Sequence, residues 1–111
     1  MKRVLVKKGY SVKVAESAQE ALKILESESF PLILMDLNMP GMDGAQLCEC
    51  IKKTFPKTVV LALSGYIASK FLTETLEESG FDGWIAKPIS ANRLDQVVKG
   101  AFEKIKRTNG Q

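Results

Sequence analysis

Three short apolar segments, separated by helical patterns, constrain the fold of this chain most strongly. Their sequences are "LILMD" at 32–36, "TVVLALS" at 58–64 and "GWIAK" at 83–87. Strands that are apolar along their whole length are typical of parallel sheets, because helices cover both faces of such a sheet. The segments therefore predict a parallel sheet enclosed by helices.

Helix signals lie between and around these segments. Ser17 and Glu20 form a capping box before a helix that ends near Glu28, Gly80 stops a helix at 67–79, and Ser90 caps the last helix. A further helix is predicted at 44–54, and the alternating residues 11–15 predict another strand. The order β-α-β-α-β-α-β-α with short connections predicts an α/β, doubly wound parallel sheet in one domain over residues 1–111.

Reactive side chains end the three apolar segments. Asp36, Ser64 and Lys87 close successive strands, and chemistry in such sheets lies at the carboxyl ends of the strands. The Pro-Gly pair at 40–41 breaks the backbone beyond Asp36, so we expect this carboxylate to be presented at the sheet edge. A carboxylate can attack a phosphoryl group, a lysine supplies a point charge for a phosphoryl oxygen, and a hydroxyl can donate to another.

Composition excludes several other functions. The chain contains no His, so a zinc pair or a histidine-activated nucleophile is excluded. Cys48 and Cys50 lie two residues apart in a predicted helix and do not face each other, so no local disulfide is expected. A net charge of +3 from scattered lysines does not indicate nucleic-acid binding. Without an apolar run of ~20 residues, we expect no membrane span and a cytoplasmic location.

The segments "LILMDLNMPGMDG", "LALSG" and "GWIAKPI" resemble, in order and spacing, the receiver domain of two-component response regulators. The resemblance covers about residues 2–106 and implies a flavodoxin-like sheet. It implies that Asp36 is the phosphoacceptor, Lys87 its partner and Ser64 the switch hydroxyl. Trp84 occupies the place of the switch aromatic, although a packing role is an equal alternative.

The same resemblance implies a cofactor and partners. Mg²⁺ would bind Asp36 and the backbone carbonyl of Asn38, and the peptide before Pro88 is often cis in this family. The expected function is phosphorylation by a sensor histidine kinase or a phosphotransfer protein, which switches a protein-interaction face. The domain would not be an enzyme beyond phosphorylating and dephosphorylating itself at Asp36.

The amino terminus departs from the family pattern. The family's first strand ends in an acidic pair that holds Mg²⁺, but no Asp or Glu precedes Glu16 here. The segment "MKRVLVKKGYSV" aligns best with the end of the first helix and the second strand. The central strand, its acidic pair and most of the first helix, roughly 15–20 residues by average element lengths, would then be absent. We therefore expect an N-terminally truncated or rearranged sheet whose Mg²⁺ binding is weak or absent.

Several alternatives remain open at this stage. Residues 1–6 could form a strand, but the short gap before residue 11 would permit only an antiparallel hairpin. The loss could be natural, a misplaced start codon or a deletion. A phosphorylation-independent binding module of the same fold competes with the phosphorylated receiver, whereas an Asp-x-Asp phosphotransferase would lack its second Asp, since Asn38 stands there. Exposed strand edges also predict a homodimer.

Overall fold

The computed structural model describes residues 6, 7, 9, 13, 15, 17–37, 44–65 and 70–109, and the side chains of all of these except 70–73 and 107–109. Four helices and three strands alternate along this part of the chain. They are α1 (Ala18–Ser27), β1 (Leu32–Asp36), α2 (Gly44–Thr54), β2 (Val59–Ser64), α3 (Lys70–Glu78), β3 (Gly83–Ala86) and α4 (Ala91–Asn109). The predicted α/β alternation is confirmed from α1 onward.

The described strands form one parallel sheet in the order β1-β2-β3. Asp36 lies opposite Leu63 across the first strand pair, and Ser64 lies opposite Ala86 across the second. All three predicted apolar segments are strands in the structure, although the second begins one residue later and the third ends one residue earlier than predicted. Their carboxyl ends therefore meet at one edge, as the doubly wound fold requires.

Helices cover both faces of this sheet. Side chains alternate between the two faces along each strand, so each strand contributes to both helix layers. On one face, the buried Met35, Val60 and Ala62 pack with residues of α2, with Leu76 of α3 and with half-buried residues of α1. On the other face, Leu61, Leu63 and Ile85 pack near α4, whose buried core residues are Leu94 and Val98. Both faces of the strands are thus apolar, which explains their continuous apolar sequences.

The predicted helix caps are present. Ser17 Oγ accepts a hydrogen bond from the Glu20 N–H at 3.0 Å and begins α1. Ser90 Oγ accepts from the Arg93 N–H at 3.1 Å and begins α4. Gly80 has a φ of 97°, which glycine adopts without strain, and it ends the helical turn after α3. Local sequence signals therefore determined these helix ends.

At the amino terminus, the described residues are helical rather than extended. Val6 and Lys7 have helical backbone, and the N–H of Gly9, whose φ is 92°, donates to the Val6 carbonyl at 3.0 Å. The alternative that extends a strand to Val6 is therefore wrong at that residue. Three other predicted segments lie outside the described residues: residues 1–5, most of the strand at 11–15 and the first turn of α3 at 67–69.

A charged brace joins the three strands at their amino ends, on the edge opposite Asp36. Lys52, near the end of α2, donates from Nζ to the Thr58 carbonyl at 2.6 Å and to Asp82 Oδ2 at 2.7 Å. The same Asp82 oxygen accepts from the Val60 N–H at 2.8 Å, and Thr58 Oγ1 donates to the Phe30 carbonyl at 3.0 Å. These contacts fix the starts of β2 and β3 relative to α2.

No helix in the part of the chain that the structure describes is long and apolar enough to span a membrane.

Candidate functional site

Backbone hydrogen bonds align the three strand ends at one edge of the sheet. The Leu37 N–H donates to the Leu63 carbonyl at 2.8 Å, so the ladder between β1 and β2 continues one residue past Asp36. The Lys87 N–H donates to the Ser64 carbonyl at 2.8 Å and extends the ladder between β2 and β3 in the same way. Asp36, Ser64 and Lys87 are therefore brought to one edge by the sheet itself.

An ion pair joins the outer two of these residues. Lys87 Nζ donates a short, charge-assisted hydrogen bond to Asp36 Oδ2 at 2.6 Å. The Asp36 side chain is 34% exposed and the Lys87 side chain 31% exposed. The carboxylate is therefore held by a cation while part of it remains accessible to an incoming group.

Ser64 lies between them at the end of the central strand and is 5% exposed. Its backbone carbonyl is occupied by the Lys87 N–H, which fixes the start of the chain that follows β3. Ser64 is therefore less accessible than the Asp36 carboxylate and the Lys87 ammonium. Asn38, the remaining predicted ligand, lies outside the described residues.

Trp84 is half-buried on β3, opposite Ala62, and packs against the core that faces α2 and α3. The structure thus gives this residue a packing contact, and its predicted switch role stays a prediction. The peptide bond between Lys87 and Pro88 is cis, as the resemblance implied.

The donor set at this edge was compared with the needs of Mg²⁺. This ion takes six oxygen ligands in near-octahedral geometry and is usually held through one or two carboxylates, water and phosphate oxygens. Over the residues that the structure describes, no three His, Cys, Asp or Glu side chains cluster to hold a metal ion. The described edge contributes the Asp36 carboxylate, which contacts Lys87. The residues that the structure describes at this edge therefore do not by themselves complete a magnesium site.

One neighbour of the site was missed by reasoning from sequence. Leu37, directly after Asp36, is half-buried and packs against the core on the α2 side of the sheet. A Cβ atom at Gly44, the first residue of α2, would lie 2.6 Å from Leu37 Cδ2. The sequence predicts only that residue 44 begins a helix, and no local pattern indicates which side chain approaches it.

The sequence of this chain is similar to those of known proteins. A family model for the response regulator receiver domain matches residues 1–99. Response regulator protein FleR of Pseudomonas aeruginosa is 35% identical over 98 residues, which cover 87% of this chain and 20% of FleR. Sensor kinase CckA of Brucella abortus is 35% identical over 104 residues, which cover 92% of this chain and 11% of CckA. The chain therefore spans a fifth or less of the length of these relatives.

Solved structures of receiver domains have a fold similar to that of this chain. A CheY-like response regulator receiver domain protein from Methanospirillum hungatei matches with a TM-score of 0.88 and 31% identity, over 96% of this chain and 85% of that chain. The receiver domain of NtrX from Brucella abortus matches with a TM-score of 0.81 and 27% identity, over 91% of this chain and 85% of that chain. The similarity to both covers nearly the whole chain.

Proposed function

Because this chain belongs to the response regulator receiver domains of two-component systems and has their CheY-like, flavodoxin-like fold, we propose that Asp36 is its phosphoacceptor. The observation that carries the proposal is the 2.6 Å contact between Lys87 Nζ and Asp36 Oδ2 at the carboxyl edge of the sheet. An accessible carboxylate held beside a lysine has the charge arrangement that phosphoryl transfer needs.

In the proposed reaction, a carboxylate oxygen of Asp36 attacks the phosphorus of a phosphohistidine. The O–P bond forms as the N–P bond breaks, and the histidine nitrogen keeps the electron pair of the broken bond. The product is an acyl phosphate on Asp36. Lys87 then interacts with a phosphoryl oxygen as well as with the carboxyl group, and its charge offsets the negative charge that the aspartyl group gains.

The proposed phosphoryl donor is a sensor histidine kinase or a phosphotransfer protein. FleR is named a response regulator and CckA a sensor kinase, so related stretches occur in both kinds of protein. Phosphorylation would change the charge beside Ser64 and Lys87, whose backbones are hydrogen-bonded across β2 and β3. A shift there would alter the surface formed by α3, β3 and α4, which is the proposed interaction face.

Receiver domains generally bind Mg²⁺, and we propose that this 111-residue chain binds it weakly. The sequence has no acidic residue before Glu16, and the described edge contributes one carboxylate, that of Asp36. A bound Mg²⁺ would offset phosphoryl charge, and with a single carboxylate the phosphoryl donor would have to supply more of the ligands. Modification from small phosphoryl donors is therefore expected to be slow.

Beryllofluoride, a phosphoryl mimic, tests the proposal directly. We expect amide NMR resonances of Ser64, Trp84 and Lys87 to shift when beryllofluoride and Mg²⁺ are added to the wild-type chain. The Asp36→Asn chain, which lacks the carboxylate but keeps nearly the same shape, should show no such shifts. Equal shifts in both chains would contradict the assignment of Asp36.

A phosphorylation-independent binding module of the same fold is the competing proposal. The observation that favours it is that the described part of the site contributes one carboxylate, that of Asp36, and no cluster of three metal-ligating side chains. In that case beryllofluoride and Mg²⁺ would leave the site resonances unchanged even at saturating concentrations, while the sheet remained folded.

A further inference from the structure

Gly44 lies where α2 begins, next to the strand that carries Asp36. A Cβ atom at this position would be 2.6 Å from Leu37 Cδ2 and 3.5 Å from Met35 Sδ. Met35 and Leu37 are the two chain neighbours of Asp36, and both contribute to the core on the α2 side of the sheet. The start of α2 therefore rests on the two residues that flank the carboxylate.

The backbone conformation of Gly44 does not explain why glycine stands there. Among the described residues, only Gly9 and Gly80 have positive φ, so any L-residue could adopt the backbone of Gly44. Glycine is also a poorer helix former than alanine, by about 1 kcal/mol in a helix interior. The requirement at this position is therefore space, because ordinary contacts between a Cβ atom and its neighbours begin near 3.4 Å.

A larger residue at position 44 would require Leu37 to move. To restore an ordinary contact with a Cβ at residue 44, Leu37 Cδ2 must move by about 0.8 Å. The half-buried side chain can rotate and lose contacts with the core, or it can carry its backbone along. The Leu37 N–H is bound to the Leu63 carbonyl at 2.8 Å, so the second response strains the end of the sheet and moves Asp36.

We propose that Gly44 is a positioning residue for Asp36, acting through Leu37. Its missing side chain lets Leu37 pack in the orientation that holds the carboxylate against Lys87. A substitution at residue 44 that displaces Leu37 therefore loosens the Asp36–Lys87 contact without touching either residue. The inference rests on the proposed function only in treating Asp36 as the phosphoacceptor.

The test compares four chains: wild type, Gly44→Ala, Leu37→Ala and the double variant. The first readout is the carboxyl ¹³C resonance of Asp36, with Lys87→Ala defining the value without the ion pair. We expect the Gly44→Ala resonance to move from the wild-type value toward the Lys87→Ala value. Leu37→Ala shortens the side chain that clashes, so adding Gly44→Ala to it should shift the resonance much less than Gly44→Ala does in the wild-type chain.

The second readout is the rate of modification by acetyl phosphate. If the whole displacement of about 0.8 Å reached the ion pair, Coulomb's law would give about a two- to tenfold effect for dielectric constants between about 80 and 20. We therefore expect Gly44→Ala to slow modification by at most that factor in the wild-type background, and by much less in the Leu37→Ala background. The two readouts are independent, because the Asp36 resonance can be measured without phosphoryl transfer. If Asp36 is not a phosphoacceptor, none of the chains will be modified there, but the resonance will still show whether Gly44 positions Asp36.

Gly100→Ala is the matched control, since a Cβ at this exposed position of α4 would meet no atom within 4 Å. This variant should keep the wild-type resonance and rate and raise the unfolding midpoint. If Gly44→Ala does not fold in the wild-type background, the Leu37→Ala pair still tests the proposal, because the double variant should fold with the resonance of Leu37→Ala. A folded Gly44→Ala chain with the wild-type resonance and rate would overturn the proposal, and so would a Gly44→Ala effect of the same size in both backgrounds.

Discussion

Replacing Lys52 with Met should destabilise the chain by removing the charged brace at the amino ends of the strands. The substitution keeps most of the apolar stem of Lys52 but removes Nζ, which donates to the Thr58 carbonyl at 2.6 Å and to Asp82 Oδ2 at 2.7 Å. Both partners of the ion pair are largely shielded, since their side chains are 21% and 26% exposed. Such a pair should be worth more than an exposed surface salt bridge.

The size of the loss follows from what is left behind. Hydrogen bonds to charged groups contribute about 1.5–3 kcal/mol, and a buried acceptor that loses its donor costs a similar amount. Asp82 Oδ2 keeps the Val60 N–H at 2.8 Å, which limits the loss on that side, whereas Thr58 is 7% exposed and its carbonyl loses the Lys52 donor. We therefore expect the free energy of unfolding to fall by about 2–3 kcal/mol.

Urea unfolding, followed by the fluorescence of the chain's single tryptophan, measures this loss. Lys53→Met is the matched control, because Lys53 is the exposed neighbour of Lys52 on α2, and its replacement should change the free energy by less than about 0.5 kcal/mol. The Asp36–Lys87 contact lies at the opposite edge, so its NMR resonances should not move. A loss below about 0.5 kcal/mol for Lys52→Met would show that the brace contributes no more than an exposed ion pair.

Four further predictions follow: two from the core, one from the sheet edge and one from the site. Burial is the largest cause that raises the pKa of the Cys48 thiol from 9.0 to about 11. Ellman's reagent at pH 8 should therefore modify the exposed Cys50 first, and it should modify Cys48 only after urea unfolds the chain. Because the unfolded thiol loses its proton before the folded one, this group should lower the free energy of unfolding as pH rises from 9.0 to about 11, with a slope that Cys48→Ala removes. Loss of the central strand, which the sequence predicts, would leave strand edges that favour pairing with another chain, so light scattering coupled to size exclusion should detect a dimer. A monomer at all concentrations would contradict this prediction. Quenching of Trp84 fluorescence should not saturate at sub-millimolar Mg²⁺, and saturation there would show a complete metal site.

The sheet and the convergence of its strand ends could be predicted from sequence because both depend on local patterns. Continuous apolar segments separated by capped helices specify a parallel sheet, and a parallel sheet necessarily brings the ends of its strands together. Asp36 and Lys87 are 51 positions apart in sequence, yet their contact follows from this topology. The helix caps at Ser17 and Ser90 were equally predictable, since a helix cap depends only on residues within one turn of the helix end.

Contacts that depend on side-chain packing could not be predicted in the same way. Lys52 and Asp82 are 30 positions apart, and nothing in the sequence distinguishes Lys52 from its neighbour Lys53 as the residue that reaches Asp82. The approach of Leu37 to Gly44 depends on how the start of α2 packs on the sheet, which hydrophobic periodicity does not specify. The cis peptide before Pro88 was expected only from family resemblance, because the residue pair itself allows both isomers.

Locating the modified residue tests the central claim most directly. The chain is incubated with acetyl phosphate and Mg²⁺, the acyl phosphate is reduced with borohydride, and the product is mapped by peptide mass spectrometry. We predict a single modified residue, Asp36, slower modification in Lys87→Ala because the ammonium no longer offsets the phosphoryl charge, and none in Asp36→Asn. Modification of another carboxylate, or equal modification of the Asp36→Asn chain, would contradict the assignment of this edge as a phosphoacceptor site.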